Sequence, residues 1–271
     1  MNIFPRFKRQ IFSALMSSYT LLMFGCNLFV PAYADKINIE EAQTVNNGEN
    51  VSVTDSIYDA LVSSDGSINA LSNNGTITRI SNSEFLNNSY KTSSNILSGS
   101  GIYNSGLIES IDESNFSNNY NGISNYSDIT LIDNSTFIEN NTGIYVDGLN
   151  AADVSSVSNS TFTNNTEGIT LKETGKEGNR AHLGTISNST FENNSIGVQN
   201  LGSDIDSIKG SFFISNDTGV IANTSYSGGY IGLIDDTEFI SNDIGVSVSG
   251  SRVDTISNSL FENNNTGIYI S

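Results

Sequence analysis

The sequence predicts an all-β solenoid, a chain of short strands coiled turn upon turn, and three observations carry that prediction. Phenylalanine recurs at Phe85, Phe116, Phe137, Phe162, Phe191, Phe213, Phe239 and Phe261, at separations of 31, 21, 25, 29, 22, 26 and 22 residues, which are the periods of stacked repeats. Around each Phe the same neighbours return at fixed offsets. No stretch shows the 3.6-residue apolar period of an amphipathic helix.

The offsets give a geometry. Five residues before each Phe stands Ile or Val (Ile80 to Ile256), and eight before stands a second apolar residue (Ile77 to Val253). Two before it is always Ser or Thr, and three after it always Asn: Asn88, Asn119, Asn140, Asn165, Asn194, Asn216, Asn242 and Asn264. In extended chain, residues two apart share a face, so Ser and Phe point the same way. The three-residue gap between the earlier apolar positions needs a bend, so each repeat reads as several short strands joined at corners. Asn tolerates the left-handed conformation and both donates and accepts, which suits a corner and an interior ladder. Asn193, one residue before Asn194, is then expected to face outward. Six residues after Phe, in seven of eight copies, Gly precedes Ile or Val (Gly197 is typical), fitting positive φ or a close backbone approach. The first copy reaches Gly101 only after ten extra residues.

Read in order, residues 1–34 place Arg6, Lys8 and Arg9 before an apolar run from Ile11 to Val30 and then Pro31-Ala32-Tyr33-Ala34. That order is a secretory signal, with cleavage expected near Ala34. Ser17, Ser18, Thr20, Gly25 and Asn27 interrupt the run as a membrane anchor, and Cys26 in MFGC only loosely matches a lipoprotein box. The remaining chain has no cysteine and carries 29 acidic against eight basic side chains, a net charge of −21. Such a surface repels nucleic acid and anionic lipid, and the missing thiols exclude disulfides and thiolate metal sites. No cofactor, metal or membrane insertion of the mature chain is expected. Residues 35–75 lack the signature and read as an N-terminal cap with irregular first turns, the Ile39–Gln43 stretch (IEEAQ) being helix-compatible. Residues 76–271 are the repeats.

Three connections outgrow the rest. From the Ile or Val after Gly to the next apolar position is usually six or seven residues, but ten before Val154, fourteen before Leu183 and eleven before Ile231. All three leave one corner, and insertions at one corner of a solenoid fall on one face, often the binding face. The middle loop holds Lys172, Lys176, Arg180 and the single histidine, His182. With Tyr226 and Tyr230 of the third loop, these are the candidate ligand-binding residues, the cations favouring an anionic partner. The Asn-x-Ser/Thr triplets at Asn134, Asn159 and Asn188 follow from the repeat, and Asp206, Asp235, Asp236 and Asp254 are too scattered to read as a calcium site.

The recurring SNSTFxNN…GIY resembles the right-handed, single-stranded parallel β-helix repeats of bacterial surface proteins, autotransporter passengers in particular, and Phe-x-x-Asn resembles the motif of chlamydial polymorphic membrane proteins. About eight turns are recognisable, over roughly three quarters of the chain. The resemblance implies secretion, surface display outside an outer membrane, and adhesion to a host-cell surface protein or glycan. A pectin-lyase-like polysaccharide lyase or hydrolase shares the fold, but its grouped carboxylates are not evident beside Arg180 and His182. A spacer lifting another surface domain is the third reading. Because Ser271 follows Gly267-Ile-Tyr-Ile in mid-repeat, end-to-end self-association or a further C-terminal domain is also expected.

Overall fold

The computed structural model describes residues 36–60, 69–91, 97–174, 179–224 and 228–271. The signal-like segment with its cleavage site lies outside these residues, as do Lys176 and Tyr226. The described chain is a parallel β-solenoid of three long sheets with ten, ten and nine strands. One turn shows the plan. His182–Ser187 joins an isoleucine sheet, Thr190–Glu192 a phenylalanine sheet and Ile196–Leu201 a glycine sheet. Each strand pairs in parallel with its equivalents in the neighbouring turns.

The interior is apolar columns along the axis. Phe85 to Phe239 are fully buried and Phe261 partly so. Successive rings from Tyr58 to Phe261 lie 4.7–4.9 Å apart and within 9° of parallel, because the strand spacing fixes the ring spacing. Both apolar residues of each isoleucine strand face inward. The bend their spacing demands is taken inside one strand, where the ladder skips a position such as Ser155 opposite Gly184, and not at a corner.

The corners correct one assignment. The left-handed residue is not the Asn three after Phe but the residue before it: Asn164 at φ 57°, Asn193 at 54°, Ser215 at 55°. A second left-handed corner precedes each Ser, at Asn134, Asn159 and Asn188 (φ 46–50°), so those triplets serve the backbone. The Asn three after Phe then turns inward as the expected ladder. Asn194 Nδ2 donates to Asn216 Oδ1 (3.0 Å) and to Phe162 O (2.9 Å), while its Oδ1 accepts from Asn165 Nδ2 (3.0 Å) and Asn165 N (2.9 Å). Every polar atom of the amide is matched, which a buried amide requires. The Ser column forms a parallel ladder, Ser160 N donating to Ser189 Oγ and Ser189 N to Ser211 Oγ, both at 3.2 Å. At the recurring glycine, close approach is the reason and positive φ is not. A Cβ on Gly197 would stand 2.5 Å from Gly219 O and 2.7 Å from Phe213 Cδ1.

The first turn is more regular than its sequence. Val51, Val53 and Tyr58 register with Ile77, Ile80 and Phe85, with a shift between Val51 and Ser52, and Leu71 registers with Ile102. Tyr58 is buried and donates to Gln43 Oε1 at 2.8 Å. The Ile39–Gln43 stretch is not a helix. Ile37–Ile39 and Gln43–Val45 are strands that extend the phenylalanine and glycine sheets, since five residues cannot offset helix nucleation against open strand edges. The ten extra residues before Gly101 include an antiparallel pair, Tyr90–Lys91 with Leu97–Ser98. In the last turn Ile268, Tyr269 and Ile270 are 44%, 49% and 75% exposed.

Candidate functional site

All three long connections leave the corner from the glycine sheet to the isoleucine sheet, as their lengths predict: after Asp147, Lys172 and Asn223, re-entering at Asp153, His182 and Tyr230. A column of Asn builds this corner where it is tight. Asn73 Nδ2 donates to Asn104 Oδ1, and Asn104 Nδ2 to Asn125 Oδ1, both at 2.8 Å. Where two of the long loops depart, Val146 and Leu171 take the place in register, and Asn returns at Asn200. Asn200 closes a tight turn by accepting from Ser203 N and donating to Ser203 O. Nothing in the repeat motif marks this second ladder.

Beside the corner, on the outer face of the isoleucine sheet, register assembles a polar column. Asp153, His182, Asp204, Tyr230 and Arg252 each open their strand and lie opposite one another in successive turns. Each precedes a residue of the inward apolar column (Val154, Leu183, Ile205, Ile231, Val253), so strand alternation turns it out. Two residues further along the strands, Asp206 and Asp254 flank the column.

The contacts bind this column into one network. His182 Nδ1 lies 2.5 Å from Asp153 Oδ1 and its Nε2 lies 3.3 Å from Asp206 Oδ1. With a carboxylate oxygen at each ring nitrogen, both nitrogens act as donors, so the imidazolium is favoured. Burial works against that charge, but hydrogen bonds to Asp153 and Asp206 outweigh it and raise the pKa. Tyr230 Oη donates to the same Asp206 Oδ1 at 3.3 Å, and Arg252 holds its guanidinium carbon 5.3 Å from the Tyr230 ring centroid while pairing with Asp254 at 2.8 Å. Arg180 pairs with Asp204 at 3.2 Å.

Of the residues singled out in the sequence, Arg180, His182 and Tyr230 come together here. Lys172 does not. It is exposed at the end of the glycine-sheet strand Glu167–Lys172, in register with Asp147. His182 belongs to a strand and not to the loop. One expectation changes. Carboxylates do surround Arg180 and His182, drawn from Asp153, Asp204 and Asp206, which lie in other turns. Arg180 pairs with Asp204, and His182 with Asp153 and Asp206. Asp235, by contrast, accepts from Ser257 Oγ (2.7 Å) and Asn258 Nδ2 (2.9 Å) of the next turn, which hold its carboxyl below the usual range. Asp235 therefore supports a corner. Among the described residues no group of three or more His, Cys, Asp or Glu converges on a metal position, and no helix is long and apolar enough to cross a membrane.

Compared with protein-family models, curated proteins and solved structures, the chain matches none.

Proposed function

We propose that the mature chain is a secreted or surface-displayed recognition module of the adhesin kind, exported by the N-terminal segment and resembling an autotransporter passenger. Its ligand sits on the outer face of the isoleucine sheet beside the long loops. The observation that carries this reading is the column Asp153–His182–Asp204–Tyr230–Arg252, which joins acceptors, donors and one aromatic ring on a rigid sheet beside three variable loops. Rigid elements position such groups well and loops adapt them. Carboxylates that outnumber cations favour a hydroxyl-rich, uncharged ligand, a host-cell glycan or a glycosylated surface protein, over a polyanion.

A second reading rests on the same residues. Asp153 and Asp206 flanking His182, with Asp204 beside Arg180, offer paired carboxyl groups of the type that work as general acid and base on a glycosidic bond. Both readings are separated by one experiment. Purified residues 35–271 are assayed on cells and a glycan array for binding and, in parallel, on neutral and acidic polysaccharides for new reducing ends or unsaturated products. Binding without turnover supports the adhesin. Turnover abolished by Asp206→Asn replaces it with the hydrolase, and neither activity refutes both.

A further inference from the structure

The outer face of the phenylalanine sheet changes character in its last three strands. The residues on either side of each inward Phe point out, and the one before it is polar in four successive turns: Asn115, Thr136, Thr161 and Thr190. Phe212 then takes that place, followed in register by Glu238 and Leu260. In the column after Phe, Ile214 and Ile240 lie opposite one another. Phe212 is 39% exposed and Leu260 45%, while Ile214 and Ile240 are half-buried. With strands about 4.8 Å apart, these four side chains make one apolar patch across three turns. An apolar patch with a polar frame marks a contact surface.

The frame decides what covers it. Glu192 lies opposite Ile214, Glu238 between Phe212 and Leu260, and Glu262 opposite Ile240. Among the described residues no cation pairs with these three carboxylates, whereas Glu84, near the start of the same sheet, is paired with Lys36 at 2.7 Å. Lys209, three residues before Phe212, stands at the end of its isoleucine-sheet strand in register with Asp235. A second copy of the patch would bring three more carboxylates and no cation, and an anionic lipid surface is repelled. A cationic amphipathic helix meets both demands. Its apolar stripe covers the four side chains, a sheet face being a natural bed for a helix, and the long Lys or Arg side chains beside that stripe reach the carboxylates.

We propose that Phe212, Ile214, Ile240 and Leu260 form a docking surface for a cationic amphipathic helix of a partner protein, held at its rim by Glu192, Glu238 and Glu262. The surface is separate from the isoleucine-sheet column and does not depend on it. The probe is a labelled Leu/Lys peptide of about 14 residues with leucines at helical spacing, titrated with residues 35–271 by fluorescence anisotropy beside a control peptide carrying serine for every leucine. The leucine peptide is expected to bind about tenfold or more tightly than the control. Phe212→Thr/Ile214→Thr installs the Thr-Phe-Thr of the strand Thr161–Thr163, so it is expected to melt close to the wild type and to weaken binding about tenfold or more. Ile240→Thr serves in its place should that variant unfold. Glu238→Gln/Glu262→Gln is expected to weaken binding at low salt and less at high salt. Glu109→Gln/Asp128→Asn, which removes the same charge from the isoleucine sheet, is expected to change it little. Equal binding of both peptides, an equal loss from the isoleucine-sheet charges, or undiminished binding by the folded threonine variant overturns the proposal. So does a dimer in sedimentation that the threonine variant abolishes, because the occupant is then a second copy.

Discussion

Removing one amide from the interior ladder probes what holds these turns in register. In the wild-type protein the Asn194 carboxamide serves four hydrogen bonds of 2.9–3.0 Å, to Asn216, Phe162 and, twice, Asn165. Asn194→Ala leaves two buried donors of Asn165, its N–H and one Nδ2–H, without an acceptor, and Phe162 O without that donor. A stranded buried polar group costs about 1–3 kcal/mol, so two donors together give about 3–5 kcal/mol after allowing for relaxation. For a protein of this size that is roughly a 6–20 °C fall in melting temperature. The control is the preceding residue. Asn193 sits at φ 54°, so Asn193→Gly is expected to be nearly neutral, whereas Asn193→Ala costs about 1 kcal/mol through left-handed strain. The side chain faces outward as expected, yet the backbone makes the position sensitive. Thermal melts of the three variants decide the matter, and an Asn194→Ala melt no lower than that of Asn193→Gly refutes the ladder argument.

Further outcomes follow from the same packing. Phe191→Ala, which empties one place in the ring stack, is expected to cost about 3–5 kcal/mol in denaturant unfolding. Gly197→Ala is expected to cost about 3 kcal/mol or more, because the new Cβ meets backbone at 2.5 Å and backbone yields little. The ion pairs of His182 have a definite pH signature. Its folded pKa is raised, so the stabilisation is fully present below the unfolded value of about 6.5 and is lost as pH rises through the folded value. As the single histidine, it can be followed directly by NMR, and Asp153→Asn is expected to move its midpoint down. Residues 35–271 are expected to associate at high concentration through the exposed edge at Ile268 and Ile270, and sedimentation checks this, a concentration-independent monomer being the contrary result.

The columns that stack like side chains are legible in the sequence because stacking imposes likeness: one aromatic ring meets another at one spacing, and each ladder amide donates to the next. The first turn hides because one residue fewer separates Val51 from Val53, and because Tyr58 and Leu71 stand where Phe and the Gly-Ile pair are expected. The Asn73–Asn104–Asn125 ladder escapes notice since its column gives up Asn at Val146 and Leu171, where long loops remove the tight turn it stabilises. The left-handed corner falls one residue before the position the motif suggests because two adjacent asparagines, such as Asn193 and Asn194, both suit it, and only the direction of the side chain separates them. The polar column is a different case. Asp153, His182, Asp204, Tyr230 and Arg252 share no chemistry, so no motif reveals them. Yet each directly precedes a residue of the inward apolar column, and once that register is known they fall into line.

The claim that recognition lies on this column is tested most directly by binding of residues 35–271 to host cells and a glycan array, compared with a Tyr230→Ala/Arg252→Ala variant. Both side chains are on the outer face and lie outside the buried apolar cluster, so the variant is expected to melt close to the wild type and to lose binding about tenfold or more. Undiminished binding by a folded double variant contradicts the assignment.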